Sequence, residues 1–292
     1  MTHRFTSGPA LPPFAGLETP VEDARIRILP VPYDLTTSYE PGARWGPAAH
    51  LQASIQLELY DEETGVDLQD LAVATLPPVE PVAKGPEEMV EAVAAACAPL
   101  VADGKPLVVI GGEHTVTVGV LRAYKRAGVP LSVLQFDAHT DLRDTYQESR
   151  YSHACTMARV AEMFPYVQVG IRSMSKEELP ALQRERVVWA RDVHRDLEGA
   201  VRRIDGVLGD PVYVTIDLDV LDPALFPATG TPEPGGLDWY QITDILRHVG
   251  RTRRVVGLDL MEHSPRPGLH AADFVAARLL AKSLAYFWGR EG

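Results

Sequence analysis

The sequence predicts an α/β fold built on a mostly parallel, eight-stranded sheet, and three observations carry that prediction. Eight short apolar runs are separated by helix-length amphipathic segments. Such alternation implies right-handed crossovers between parallel strands, with helices covering both faces. Runs such as Leu107-Val108-Val109-Ile110 are apolar throughout, which suits a strand buried on both faces better than an alternating one. Glycine and proline, 23 and 24 residues, cluster in the connections, as in Leu76-Pro77-Pro78.

Taken in order, strands are expected at about 25–32 and 71–76, the second stopped by paired prolines. A helix over 87–102 leads to the strand at 107–110, and a helix over 116–127 to the strand at 131–136. The segment 155–164 reads as a helix, 166–171 and 186–190 as strands, and 193–204 as another helix. The β-branched run at 212–217, a helix over 239–249, the strand at 254–261 and a helix over 273–287 complete the series. No linker, repeat or low-complexity segment interrupts it, so a single domain over 1–292 is expected.

Composition bounds the function. The chain has 292 residues, 46% hydrophobic and 23% charged, which is ample for a large core. A formal charge of −12 argues against nucleic acid as a partner. It fits a cationic substrate, although acidity also serves solubility. Cys97 and Cys155 form no metal-binding or redox spacing, which points to free thiols in a reducing compartment. Residues 1–17 lack the apolar core of a secretory leader, and no apolar stretch approaches the ~18 residues of a membrane span. The cytoplasm is the expected location.

Two motifs stand out. Asp137-Ala138-His139-Thr140-Asp141 follows Ser132-Val133-Leu134-Gln135-Phe136, and Asp217-Leu218-Asp219-Val220-Leu221-Asp222-Pro223 follows Val212-Tyr213-Val214-Thr215-Ile216. In extended chain, positions i, i+2 and i+4 share a face. Asp137, His139 and Asp141 then point one way, as do Asp217 and Asp219. Carboxylates crowded at buried strand ends repel unless a cation neutralises them, so metal is the economical reading. Hard oxygen donors with few imidazoles and no thiolate favour Mn²⁺ or Mg²⁺ over structural zinc. A calcium loop at 217–222 is disfavoured, because Asp222 stands where that loop needs glycine. Asp222 suits a turn or cap better than a ligand. Gly111-Gly112-Glu113-His114 follows the strand at 107–110 without the pattern of a phosphate loop, and its histidine can join the same site.

These segments, with Ser152-His153, the run 229–236 (Thr-Gly-Thr-Pro-Glu-Pro-Gly-Gly), Gly257-Leu258-Asp259-Leu260-Met261-Glu262 and 41–47 (Pro-Gly-Ala-Arg-Trp-Gly-Pro), resemble the ureohydrolase family of arginases and agmatinases. The resemblance runs over about 25–285. It implies the three-layer arginase-like fold, a homo-oligomer (trimer or hexamer), two Mn²⁺ per chain and hydrolysis of a guanidinium group to urea and an amine. Carried over by position, it makes His114, Asp137, Asp141 and Asp217 ligands of one ion. His139, Asp137, Asp217 and Asp219 would hold the other. It gives Asp141 the orientation of the attacking water, His153 a proton shuttle and substrate contact, Glu262 the grip on the guanidinium, and Thr231 a neighbouring hydrogen bond. The loop 142–151 and the run Thr-Pro-Glu-Pro-Gly-Gly resemble agmatinases more than arginases. Agmatine, giving putrescine for polyamine synthesis, is therefore the expected substrate, its ammonium met by Asp144, Glu148 or Glu233. Arg143 or Arg150 in the cleft would favour a guanidino acid such as 4-guanidinobutanoate, with arginine as a further alternative. Two other classes are a single-zinc deacetylase, against which the second ligand set argues, and a catalytically silent metal-binding homologue.

Overall fold

The computed structural model describes residues 11–289, so the reading of residues 1–17 as no leader falls, for 1–10, outside the described residues. All eight expected strands form: β1 Ile26–Val31, β2 Val73–Thr75, β3 Leu107–Gly111, β4 Ser132–Phe136, β5 Tyr166–Ile171, β6 Val187–Trp189, β7 Val212–Asp217 and β8 Val255–Met261. They make one sheet in the order β2-β1-β3-β8-β7-β4-β5-β6. Every neighbouring pair in it runs parallel, one step beyond the mostly parallel sheet expected.

Successive strand side chains alternate between two cores. In β3, Val108 and Ile110 join one, and Leu107 and Val109 the other. In β7, Val212, Val214 and Ile216 face the first and Tyr213 the second. Helices α1 (Gly46–Ser54), α6 (Leu197–Val207), α7 (Trp239–Thr252) and α8 (His270–Trp288) supply Leu51, Ile204, Ile242 and Leu280 to the first core. Helices α2 (Pro86–Ala102), α3 (Thr115–Arg126) and α4 (Thr156–Ala161) supply Met89, Val120 and Met157 to the second. Helix, sheet and helix are the three layers expected.

Three departures have local causes. Helix α1 was not expected, because its buried positions Pro47, His50, Leu51 and Ser54 include polar residues and show no apolar stripe. The helix expected over 193–204 is two, α5 (Ala190–Arg195) and α6, broken at Asp196. There the backbone leaves the helical region and the side chain accepts the Gly199 N–H at 2.8 Å, capping α6. The helix expected from 155 begins as a single 3₁₀ turn, His153–Cys155, before α4. Among the described residues no helix is long and apolar enough to cross a membrane.

Candidate active site

The four middle strands end within or just before the four motifs. In sheet order, β3 leads into Gly112-Glu113-His114, β8 into Glu262, β7 ends at Asp217 and runs into Asp219, and β4 leads into Asp137 and His139. Ligands of open parallel sheets bind at this carboxyl edge.

His114 is fully buried in an acidic ring. Its Nδ1 lies 3.1 Å from Asp137 Oδ2, 3.2 Å from Asp141 Oδ2 and 3.5 Å from Asp217 Oδ2. Yet that nitrogen has no well-formed hydrogen bond. Its Nε2 lies 2.9 Å from Thr215 Oγ1. A proton on Nε2 donated to Thr215 leaves the Nδ1 lone pair facing three carboxylates. On the other side, His139 Nδ1 is 2.9 Å from Asp219 Oδ2 and 3.6 Å from Asp137 Oδ1. Two donor sets result, His114/Asp137/Asp141 and Asp137/His139/Asp219, each with ligand atoms within 4.8 Å of one another. Asp137 belongs to both.

The electrostatics repeat the need for a cation. Burial, then the charges of Asp219 and Asp137, push the Asp217 carboxyl well above its usual range. Burial and Asp137 raise Asp141 to about 7. Burial would raise Asp137 too, but its contacts with His114 and His139 hold it low. Burial would lower both histidines, yet Asp137 and Asp141 at His114, and Asp219 and Asp137 at His139, lift them well above the usual imidazole value. A divalent cation would replace those protons. The orphaned Nδ1 lone pair and the oxygen-rich donor set fit one.

A cleft of about 230 Å³ opens over this cluster. His114, His139, Asp141, Asp217, Asp219, His153, Thr231 and Glu262 all line it, while Asp137 sits fully buried behind them. Glu262 Oε1 accepts the His114 backbone N–H at 2.6 Å, and its own N–H donates to Gly112 O at 2.8 Å. Its φ of 63° and that of Asp141, 51°, are left-handed values uncommon outside glycine, held here by surrounding structure at the site itself. Burial, then the Glu113 charge, pushes the Glu262 carboxyl well above its usual range. His153 Nδ1 is 3.2 Å from Thr36 Oγ1, and burial, with His139 and His114 opposite, lowers its pKa to about 4.

The expected tail-binding residues fare differently. Asp144 is held by Arg159 at 2.5 Å and Arg150 at 3.2 Å, and neither it nor Glu148 lines the cleft. Glu233 accepts the Ser173 hydroxyl at 2.9 Å and lies 3.9 Å from His139 Nε2, at the margin. Arg150 is spent on Asp144 and Glu162 outside the cleft. Arg143 lines it, its guanidinium over the Tyr146 ring and 3.4 Å from Glu177. Glu40, which the sequence did not single out, lines it as well. Asp222 holds a turn, as expected, accepting from the Ala224, Gly235 and Gly236 N–H groups.

Supporting residues were also missed. Gln168 donates to Gln135, which donates to Asp137 Oδ2 at 2.6 Å. Glu178 is buried and accepts from Thr140 Oγ1 and Leu142 N–H, bracing the loop that carries Asp141. One signal could have found two of them. Gln135 and Thr215 are polar residues inside apolar strands, each two positions before a metal-donor residue and so on its face.

The comparisons agree with this geometry. A family model described as the Arginase family matches residues 24–285. An N(1)-aminopropylagmatine ureohydrolase of Synechocystis sp. is 40% identical over 99% of this chain and 97% of that protein. An agmatinase of Pyrococcus horikoshii is 37% identical over 89% and 91%. Among solved structures, the agmatine ureohydrolase of Thermoplasma volcanium superposes with a TM-score of 0.87 at 29% identity, covering 97% of this chain and 96% of that one. With fold, motif order and relatives in agreement across nearly its whole length, the chain belongs to the arginase family.

Proposed function

We infer that this chain is a ureohydrolase of the agmatinase type, hydrolysing the guanidinium of a carboxylate-free guanidino amine to urea and the free amine. The observation that carries the reading is Glu262, a buried carboxylate that faces a cleft floored by two donor sets sharing Asp137. His114, Asp137, Asp141 and Asp217 would hold one divalent cation, and Asp137, His139, Asp217 and Asp219 a second. Manganese is the proposed metal, two per chain. When bound, such a pair lowers the pKa of water and readies it for attack. Glu262 supplies the anion that a planar guanidinium pairs with, fixing the carbon to be attacked. Thr231, on the same wall, offers a hydroxyl to a guanidinium nitrogen. Asp141 orients the water. His153, neutral at physiological pH, takes a proton and returns it to the departing amine.

For the tail, relatives at 40–42% identity are N(1)-aminopropylagmatine ureohydrolases. Glu40 offers a carboxylate at the cleft wall. Both support agmatine or its aminopropyl derivative as substrate. A guanidino acid is the second reading, and Arg143 on the cleft wall favours it. Glu177 and the Tyr146 face already engage that guanidinium, so a substrate carboxylate would have to compete for it. A single-domain homo-oligomer in the cytoplasm completes the proposal, with Cys97 and Cys155 both buried free thiols.

Urea release with added Mn²⁺ tests it on agmatine, N-aminopropylagmatine, arginine and 4-guanidinobutanoate. Either amine should exceed arginine in kcat/KM by roughly a hundredfold, the scale of an unpaired buried polar group. Faster hydrolysis of 4-guanidinobutanoate would overturn the tail assignment. No urea from any of the four would overturn the function.

A further inference from the structure

We propose that Glu113 and Thr36 position His153 by fixing which of its ring nitrogens keeps a free lone pair. The inference rests on the function above for the proton that His153 carries. Glu113 is the buried motif residue to which neither cation nor substrate gives a task. Its carboxylate takes both donors of one residue: Oε2 accepts the Thr36 N–H at 2.6 Å and Oε1 the Thr36 hydroxyl at 2.9 Å. A hydroxyl has one proton and two lone pairs. With its proton committed to Glu113, Thr36 Oγ1 can only accept from His153, whose backbone N–H lies at 2.9 Å and ring Nδ1 at 3.2 Å. Nδ1 must then carry a hydrogen. The lone pair is left on Nε2, 3.5 Å from Ser38 Oγ on the cleft wall.

The loop that carries Thr36 cannot drift from this register. Asp34, buried, accepts the N–H groups of Gly42 and Arg44 at 2.9 and 3.1 Å and pairs with the Arg44 side chain. At the other end Glu113 N–H donates to Tyr33 O at 2.7 Å, and a Cβ on Gly112 would stand 1.8 Å from that oxygen. Only glycine permits the approach. The other groups facing His153 are Ser152, whose Oγ lies 3.4 Å from Nδ1, the Tyr146 ring, 6.1 Å away edge-on, and the charges of His139, His114 and Asp137. Thr36 Oγ1, at 3.2 Å, is the nearer partner of Nδ1.

The chain of bonds has a polarity, and Glu113→Gln reverses it. The glutamine carbonyl can accept the Thr36 N–H, but its amide must donate to Thr36 Oγ1. The hydroxyl proton then turns toward His153 Nδ1, and the hydrogen of the neutral ring moves to Nε2. Thr36→Val removes the link, and Thr36→Ser keeps it.

Diethylpyrocarbonate acylates an unprotonated imidazole nitrogen, and peptide mass spectrometry of the full chain reads the rate at His153 alone. At pH 9 that rate should fall roughly tenfold in Glu113→Gln, the factor one hydrogen bond carries. It should fall severalfold in Thr36→Val and recover in Thr36→Ser. In urea release, Thr36→Val should lower kcat more than it raises KM and add no loss in a His153→Ala background. Equal His153 reactivity in wild type, Glu113→Gln and Thr36→Val would overturn the proposal. So would a Thr36→Val loss that persists undiminished without His153. A wild-type chain that releases no urea while the reactivity pattern holds would overturn the function and uphold the relay.

Discussion

Replacing Glu262 by glutamine should move activity and stability in opposite directions. The swap preserves shape, and the amide carbonyl can still accept the His114 N–H that Glu262 Oε1 accepts at 2.6 Å. What disappears is a buried carboxyl whose charged form is disfavoured by burial and then by Glu113, which push its pKa well above the usual range. In the free chain the His114 imidazolium favours that charge, but burial and Glu113 outweigh it, so its removal should leave the melting temperature unchanged or higher. With a guanidinium bound, the same change strips the partner from a desolvated cation. Truncating one member of such a pair costs about 3 kcal/mol, or on the order of 100-fold in kcat/KM. Initial rates of urea release on Mn²⁺-loaded wild type and Glu262→Gln give the ratio, and a thermal scan gives the stability. A loss under about fivefold would refute the guanidinium grip. A large loss accompanied by a fall in melting temperature would assign Glu262 to the fold instead.

Two further outcomes follow from the same geometry. Because Asp137 is common to both donor sets, elemental analysis of manganese-loaded Asp137→Ala should show both ions lost, whereas Asp219→Ala should lose mainly one; retention of both by Asp137→Ala would refute the shared ligand. His50 is fully buried with neither ring nitrogen partnered among the described residues, and burial and then His263, 4.9 Å away between ring centroids, hold its pKa well below the usual 6.5. Below that value the unfolded chain protonates this residue and the folded chain does not, so stability falls as the pH falls, by at most about 1.4 kcal/mol per unit from this site. Urea denaturation of His50→Leu between pH 6.5 and 5 should show a shallower decline, and an identical slope would remove His50 from the acid sensitivity.

The strands and the clusters of metal-donor side chains were legible in the sequence because both are local. Asp137 and His139, or Asp217 and Asp219, sit two residues apart directly after apolar runs, and extended backbone alone puts each pair on one face. The resemblance added the pairing of those motifs into one site. What tertiary structure decided is everything that depends on strand order. Only the arrangement β3-β8-β7-β4 brings residues 114, 262, 217 and 137 to one edge. Long-range hydrogen bonds then choose tautomers and fix loops, across 101 residues from Thr215 to His114 and 77 from Glu113 to Thr36. The tail region shows the limit most plainly: Asp144, Glu148 and Arg150 read as cleft residues from their loop, yet ion pairs with Arg159 and Glu162 turn Asp144 and Arg150 away, and Arg143 and Glu40 take the wall. A charged side chain goes wherever a partner and solvent best satisfy it, and a partner that arrives from another helix leaves no periodicity in the sequence to announce it.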